Sequence, residues 1–328
     1  MPNVVYTLEN AINSFFSDNG DLSLKIQCDQ FAYERHGGHV QPVHIQGSTS
    51  YTVIAGPSAN KIVQFREQSA LLDINMLALV KNIHGDIVPS CSELGTIGDP
   101  KRAQLVIYDM DRLSGENFII ARSSFTSSQL LSTVNSLAKI FAQSWQNGTP
   151  KLSYSVNQSV IEAECYARFK YLAEAIPQRF QQAVTEAQAA LPMLLNGSYP
   201  LVPTHGDLNE MNILVDPSNG EITGIVDWSD ASFQPFGFSL YAVENVLGNM
   251  GSDGWKWFDS ANDIRNSFWT VLQEQTGLSG DQIRLIKLAG KAGILIRYGI
   301  AFDSGFSGMI GVRDPHCEDF RYLDALLL

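Results

Sequence analysis

Residues 201–228 concentrate polar groups between short apolar runs. Asp207 and Asn212 flank one loop, and Asp227 follows the apolar pair Ile225-Val226, at the end of what reads as the next strand. Groups placed beside strands in this way are held rigidly. One carboxylate can then be brought to a hydroxyl, while a second carboxylate and an amide oxygen are brought to a divalent cation. Phosphoryl transfer needs this set, because there a protein positions reactants and neutralises charge instead of forming covalent bonds. His205-Gly206-Asp207 by itself would be better explained as a hairpin whose Asp and Asn residues make turns. Asp207, Asn212 and Asp227 in one pattern weigh against that explanation.

His205-x-Asp207 followed after four residues by Asn212 has the spacing of a kinase catalytic loop, with Gly206 where protein kinases carry Arg. With Ile-Val-Asp227-Trp228 behind it, the stretch resembles the aminoglycoside phosphotransferase and choline kinase family, and most closely its large fungal branch. Over residues 41–328 the resemblance implies an α+β, two-lobed protein-kinase-like fold, with a small antiparallel-sheet N-lobe and a larger, mainly helical C-lobe. Residues 1–110 would form the nucleotide-binding lobe and 111–328 the catalytic and substrate-binding lobe. ATP and Mg2+ are the implied cofactors. Asp207 would accept or orient the proton of a substrate hydroxyl, Asn212 and Asp227 would hold magnesium, and His205 would orient the loop through hydrogen bonds. A protein kinase is disfavoured, because no Arg precedes Asp207 to receive an activation-loop phosphate and no Asp-Phe-Gly or Ala-Pro-Glu segment occurs.

The elements that must carry these groups begin with an amphipathic helix, on which Val4, Val5, Leu8, Ala11, Ile12, Phe15 and Phe16 recur at helical spacing. Short alternating runs over 22–43 predict strands turning at His36-Gly-Gly-His39. Residues 43–55 read as strand, glycine turn and strand. Gly47 permits close backbone approach there, and Ser48, Thr49 and Ser50 offer hydroxyls and amides to phosphate oxygens. By position this matches the nucleotide-covering loop of the resembled family. On the next strand, 61–66, Ile62, Gln64 and Arg66 share one face. The family places a cation near the centre of this strand, where Gln64 stands instead. Arg66 either supplies the missing charge or is a solvated edge residue. A helix over 69–83 would present Asp73 as a partner for Arg66. Residues 89–98 read as a loop and 104–111 as a strand running into the hinge, where the backbone of 107–110, Tyr108 and Met110 included, would meet the adenine edge.

After residue 127 the pattern turns helical, over 127–146 and over 159–195 with a break near Pro177. Further helices are expected over 239–247, 255–275 and 280–303, with a docked final helix at 321–328. The acceptor is expected between the catalytic loop and these helices. Trp228, Asp230, Phe233, Glu244 and Trp257 are the candidates, and of these Asp230 and Glu244 could pair with a cationic substrate.

The chain has 328 residues, 45% of them hydrophobic, which is enough for a sizeable core and two lobes. Its formal net charge of −12, without basic runs, argues against nucleic acid or an anionic membrane as partner and leaves a small-molecule substrate. Four dispersed cysteines fit neither a zinc spacing nor a disulfide framework. The first ten residues lack a basic flank and an apolar run, and the apolar segment 285–302 is interrupted by Lys287, Lys291 and Arg297. A cytoplasmic protein is expected. Two other readings stay open: a catalytically diverged pseudokinase or ligand-binding protein, which Gln64 favours, and an enzyme of non-phosphoryl chemistry reusing the scaffold. Retention of Asp207, Asn212 and Asp227 favours the phosphotransferase.

Overall fold

The structure is a computed structural model that describes residues 6–19, 22–149, 156–304, 307–314, 316–317 and 319–328. Two compact units divide the chain, Met1–Ser114 and Gly115–Leu328.

In the first unit the Thr7 side chain accepts the Asn10 N–H at 3.2 Å and starts the helix Leu8–Asp18, which buries Ile12, Phe15 and Phe16. Val4 and Val5, counted in the expected stripe, lie outside the described residues. Residues 22–36 differ from expectation. They form the helix Leu22–His36, not strands. Its buried stripe is narrow, Leu24, Cys28 and Ala32 at intervals of four, while Leu22, Ile26 and Tyr33 are exposed, so no one-sided apolar pattern marks it.

The sheet of this unit has five antiparallel strands in the spatial order Gln41–Pro42, Ser50–Ala55, Lys61–Glu67, Ala103–Asp111, Cys91–Asp99. Its inner face carries Tyr51, Val53, Val63, Phe65, Leu105 and Ile107, packed against the two helices through contacts such as Phe16 on Tyr51 and Phe31 on Phe65. Cys91–Asp99 corrects the expected loop at 89–98. It is an edge strand, half exposed, with Gly95 and Gly98 at φ of 102° and 104° and a register shift between Glu93 and Gly95, so its own alternation is lost and the neighbouring strand defines it. The helix expected over 69–83 is Ile74–His84, because the Asp73 carboxylate caps it by accepting the Met76 N–H at 3.0 Å.

The second unit is mainly helical. Thr126 and Gln129 form a capping box on Ser127–Gln146, and Gln158–Ala175 and Gln181–Leu194 are separated at Ile176-Pro177. Ala261–Thr276 packs on Ser127–Gln146 through Phe268 on Phe141, with ring centroids 5.9 Å apart. Two expected helices are shorter than their apolar runs. Gly254–Trp257 pairs with Gly248–Gly251 as a hairpin across Ser252-Asp253, and Ile300–Ser304 pairs with Ser307–Val312, so the helix Gly280–Gly299 stops at its terminal glycine. The final helix, Asp319–Leu327, buries Phe320 and Leu323. Among the described residues no helix is long and apolar enough to cross a membrane.

Short strands position the polar loop. Leu201–Thr204 pairs with Ser232–Pro235, whereas Ile213–Val215 lies between Glu116–Asn117 and Ile222–Ile225 in a separate sheet. Residues 205–212 therefore cross from one sheet to the other. Phe65 is fully buried at the centre of the first unit, stacked on Tyr51 at 6.2 Å. Phe65→Ala should cost about 3–5 kcal/mol of stability, read from the shift in a urea unfolding curve followed by near-ultraviolet circular dichroism.

Candidate functional site

The backbone of one residue, Val226, ties the loop to the strand that leads to Asp227. The Val226 N–H donates to the Asn212 carbonyl at 3.0 Å, and the Val226 carbonyl lies 2.8 Å from His205 Nε2. The Asp207 N–H donates to His205 Nδ1 at 3.3 Å, so Nδ1 accepts and Nε2 carries the proton toward Val226. His205 is buried and tilts against Trp228 at 4.6 Å between ring centroids, and burial depresses its pKa despite its bond to Val226 and the nearby Asp207, Asp227 and Asp230. It is the neutral imidazole that builds the loop.

Gly206 has φ +82°, and a Cβ there would collide with the Asp230 carbonyl. Only glycine fits the turn that turns the loop at Asp207. The Asp207 carbonyl accepts Asn212 Nδ2–H at 2.8 Å, and the Gly206 carbonyl accepts the Tyr241 hydroxyl at 2.8 Å. Burial pushes the Tyr241 phenol up to about 12, which keeps it a donor. Asp227 follows in the left-handed region at φ 60°, ψ 62°, a conformation costing about 1 kcal/mol or more in a non-glycine residue and concentrated at functional sites. Its Oδ1 accepts the Ser229 hydroxyl at 3.2 Å.

Arg297 is the residue that the sequence reading missed. Its Nη2–H donates to Asp207 Oδ1 at 2.6 Å from the helix Gly280–Gly299, and its guanidinium lies 5.2 Å from the Tyr298 ring and 5.9 Å from that of Tyr241. Burial opposes its charge, yet Asp207 and the two phenols leave its pKa above the ordinary value. The signal was present as a cation inside an apolar helical run, a residue that needs a partner. Gly293, one turn earlier, lets this helix come close, because a Cβ there would strike the Phe238 carbonyl. Arg297, Tyr241 and Gly206 line an open pocket whose other walls include Arg168, Thr204 and Gln234.

Two acceptor candidates are otherwise engaged, which corrects the expectation for them. Trp228 is buried, with its indole N–H donating to the Ile225 carbonyl at 3.0 Å, so it supports His205. The Glu244 carboxylate takes Arg265 Nε–H at 3.0 Å and Nη2–H at 2.7 Å, leaving it committed to that guanidinium and not to a cationic substrate. Asp230 stands against Gly206 and accepts the Ser229 hydroxyl at 3.4 Å. Phe233 is buried, whereas Trp257 is exposed with Arg265 over its ring at 4.7 Å.

In the first unit Ser50 is buried, and its hydroxyl accepts Gln64 Nε2–H at 3.3 Å, while Gln64 Oε1 accepts Arg66 Nη1–H at 3.2 Å. Arg66 is 2% exposed and donates from Nε to the Ala70 carbonyl at 2.6 Å, so it is not a solvated edge residue. Its Nη2 reaches the Thr49 hydroxyl at 3.5 Å, beside Gly47 and Ser48. Tyr108 and Met110 lie in a strand flanked on both sides, Tyr108 between Gln64 and Glu93 and Met110 between Ile62 and Cys91. The backbone edge expected there for adenine is taken up by the ladder, and the Tyr108 hydroxyl accepts the Leu72 N–H at 3.1 Å inside the core.

Asn212 and Asp227 offer hard oxygen donors of the kind magnesium takes, one carboxylate and one amide, with water and phosphate completing the shell. No cluster of three His, Cys, Asp or Glu suited to a metal occurs among the described residues.

Residues 158–243 match the family model of the phosphotransferase enzyme family, APH. The resemblance seen in the sequence is borne out, although the matches do not single out the fungal branch. The chain is similar in structure to macrolide 2'-phosphotransferase MphH from Brachybacterium faecium, at 15% identity and TM-score 0.54 over 84% of this chain and 89% of that one. It is also similar to the GDP complex of aminoglycoside 2'-phosphotransferase-IIIa, at 12% identity and TM-score 0.51 over 88% and 89%. A third likeness is aminoglycoside phosphotransferase APH(3'')-Id from Streptomyces rimosus, at 14% identity and TM-score 0.50 over 83% and 98%. No curated protein sequence matches. The fold is the protein-kinase-like one of these APH phosphotransferases, with the small antiparallel sheet N-terminal and the helices C-terminal. The APH match begins at 158 and ends just past Tyr241, so it spans the whole stretch from His205 to Asp227.

Because His205 is held neutral in the folded state and takes a proton freely when unfolded, stability is complete above about pH 6.5 and falls as the pH drops below it. Melting temperature measured from pH 7.5 to 5.5 should decline, and the decline should be shallower in His205→Gln than in the parent protein.

Proposed function

We propose that this chain is a phosphotransferase that moves the γ-phosphoryl group of ATP, with magnesium, to a hydroxyl of a small-molecule metabolite in the cytoplasm. The observation that carries the reading is the Val226 bridge, which holds the Asp207 loop and the Asp227 turn in one arrangement. The APH match over 158–243 and the phosphotransferase fold support it. A neighbour in complex with GDP supports a nucleotide as donor.

In the reaction the substrate oxygen forms a bond to the γ-phosphorus while the bond from that phosphorus to the β–γ bridging oxygen breaks. ADP leaves, and the hydroxyl proton passes to the Asp207 carboxylate. Arg297 orients that carboxylate through its 2.6 Å bond. Asn212 and Asp227 would hold magnesium, which when bound offsets the charge on the phosphate oxygens. In the N-terminal unit Arg66, steered by Gln64 beneath the loop with Gly47, Ser48 and Ser50, supplies the cation for the nucleotide phosphates; Asp73 caps the following helix.

A binding protein that no longer transfers phosphate is the second reading, favoured by Gln64 at the position of the strand cation. Calorimetry and turnover separate the two. Micromolar to millimolar binding of ATP that depends on magnesium is expected, and its absence at millimolar ATP overturns both the kinase and the nucleotide-binding readings. Asp207→Asn should lower turnover by orders of magnitude, about 10²-fold or more, while leaving ATP binding intact. Asp227→Ala should remove the magnesium dependence of that binding.

A further inference from the structure

The pocket beside Asp207 has a sign. Two guanidinium groups line it, Arg297 and Arg168, together with the neutral polar side chains of Thr204, Ser232 and Gln234, and among the described residues no carboxylate lines it, Asp207 standing beside it on Arg297. Both cations are largely enclosed, with side-chain exposures of 17% and 11%. Arg168 lies over the Phe302 ring at 5.4 Å, and its ionic partner Glu164 is 3.5 Å away and half exposed, a pairing that water weakens. Arg297 is held by Asp207. On a chain of net charge −12, two enclosed guanidinium groups facing one pocket, each with its carboxylate partner to one side, mark a wall suited to an oxyanion.

We infer that the acceptor is a hydroxylated small anion, with its carboxylate or phosphate oxygens met by Arg168 and Arg297 and its hydroxyl set at Asp207. This rests on the phosphotransferase reading and names its substrate class. Guanidinium forks suit planar or tetrahedral oxyanions, and enclosure strengthens such charge-assisted bonds. Because one nitrogen of Arg297 is bonded to Asp207 Oδ1 at 2.6 Å, an anion held by the same guanidinium puts its neighbouring carbons next to that carboxylate. The hydroxyl to be phosphorylated is then one or two carbons from the anionic group. Of the two carboxylates that could have paired with a cation, Glu244 is taken by Arg265 and Asp230 is not among the pocket's lining residues.

The test is calorimetric binding to the full chain, without nucleotide, of four probes: glycerate, glycerol 3-phosphate, glycerol and choline. Glycerate or glycerol 3-phosphate should bind at least tenfold tighter than glycerol or choline, and the stronger of the two says whether the site prefers a carboxylate or a phosphate. Arg168→Gln should lose about tenfold or more of that affinity while its melting temperature and its affinity for ATP with magnesium stay unchanged. Equal or tighter binding of glycerol or choline, binding of none of the four, or an Arg168→Gln protein that still prefers the anions would each overturn the inference. ATP binding measured on the same samples keeps the outcomes apart: its loss sinks the phosphotransferase reading, and its presence with a neutral or cationic preference sinks the anion assignment alone.

Discussion

Both backbone polar groups of Val226 are used by the loop 205–212 before it, and every other feature of the site leans on that fact. Its N–H satisfies Asn212 and its carbonyl takes His205, so the 205–212 crossing cannot move independently of the strand Ile222–Ile225. Buried peptide groups left without partners cost 1–3 kcal/mol or so each, so breaking either bond inside this enclosed region has a double penalty. Asp227 is carried along. Its left-handed backbone is tolerable because the residues on either side are fixed, Val226 by the loop and Trp228 by its bond to Ile225.

Charge in the second unit is arranged by pairing more than by exposure. Glu244 and Arg265 cancel one another through two Arg nitrogens, and Arg122 meets Glu210 at 3.1 Å. The Asp207–Arg297 pair differs from these because its guanidinium lines a pocket, where a ligand can compete for it. An ion pair that faces a cavity acts as a binding device, whereas one sealed into packing acts as a strut.

The fold class and the core of the site were legible because both rest on local pattern. Asp207, Asn212 and Asp227 are separated by loops short enough for type and spacing to carry their geometry, and Ser127–Gln146 shows its capping box and apolar stripe in its own residues. Elements defined by their neighbours were not legible. Leu22–His36 has only three buried positions and exposed apolar residues on its outer face, so its helicity follows from docking on the sheet. Cys91–Asp99 is a strand because Ala103–Asp111 is beside it. Arg297 shares this character, lying ninety residues from Asp207 with nothing in the spacing to join them. The backbone of Tyr108 and Met110 was assigned to a ligand before the second flanking strand was known.

The notch at Gly293 gives the second unit a single mechanical coordinate. Where the helix Gly280–Gly299 touches Phe238 without a side chain between them, the depth of the pocket and the reach of Arg297 toward Asp207 are set by the same sliding distance. Any residue larger than glycine there lifts the helix and enlarges the cavity, and by the same displacement it draws the guanidinium away from the carboxylate. Pocket width and the Arg297–Asp207 contact are thus geared together along this wall. The strand Ser232–Pro235 contributes Ser232 and Gln234 to the same pocket, and side chains there can be shortened without disturbing that gear.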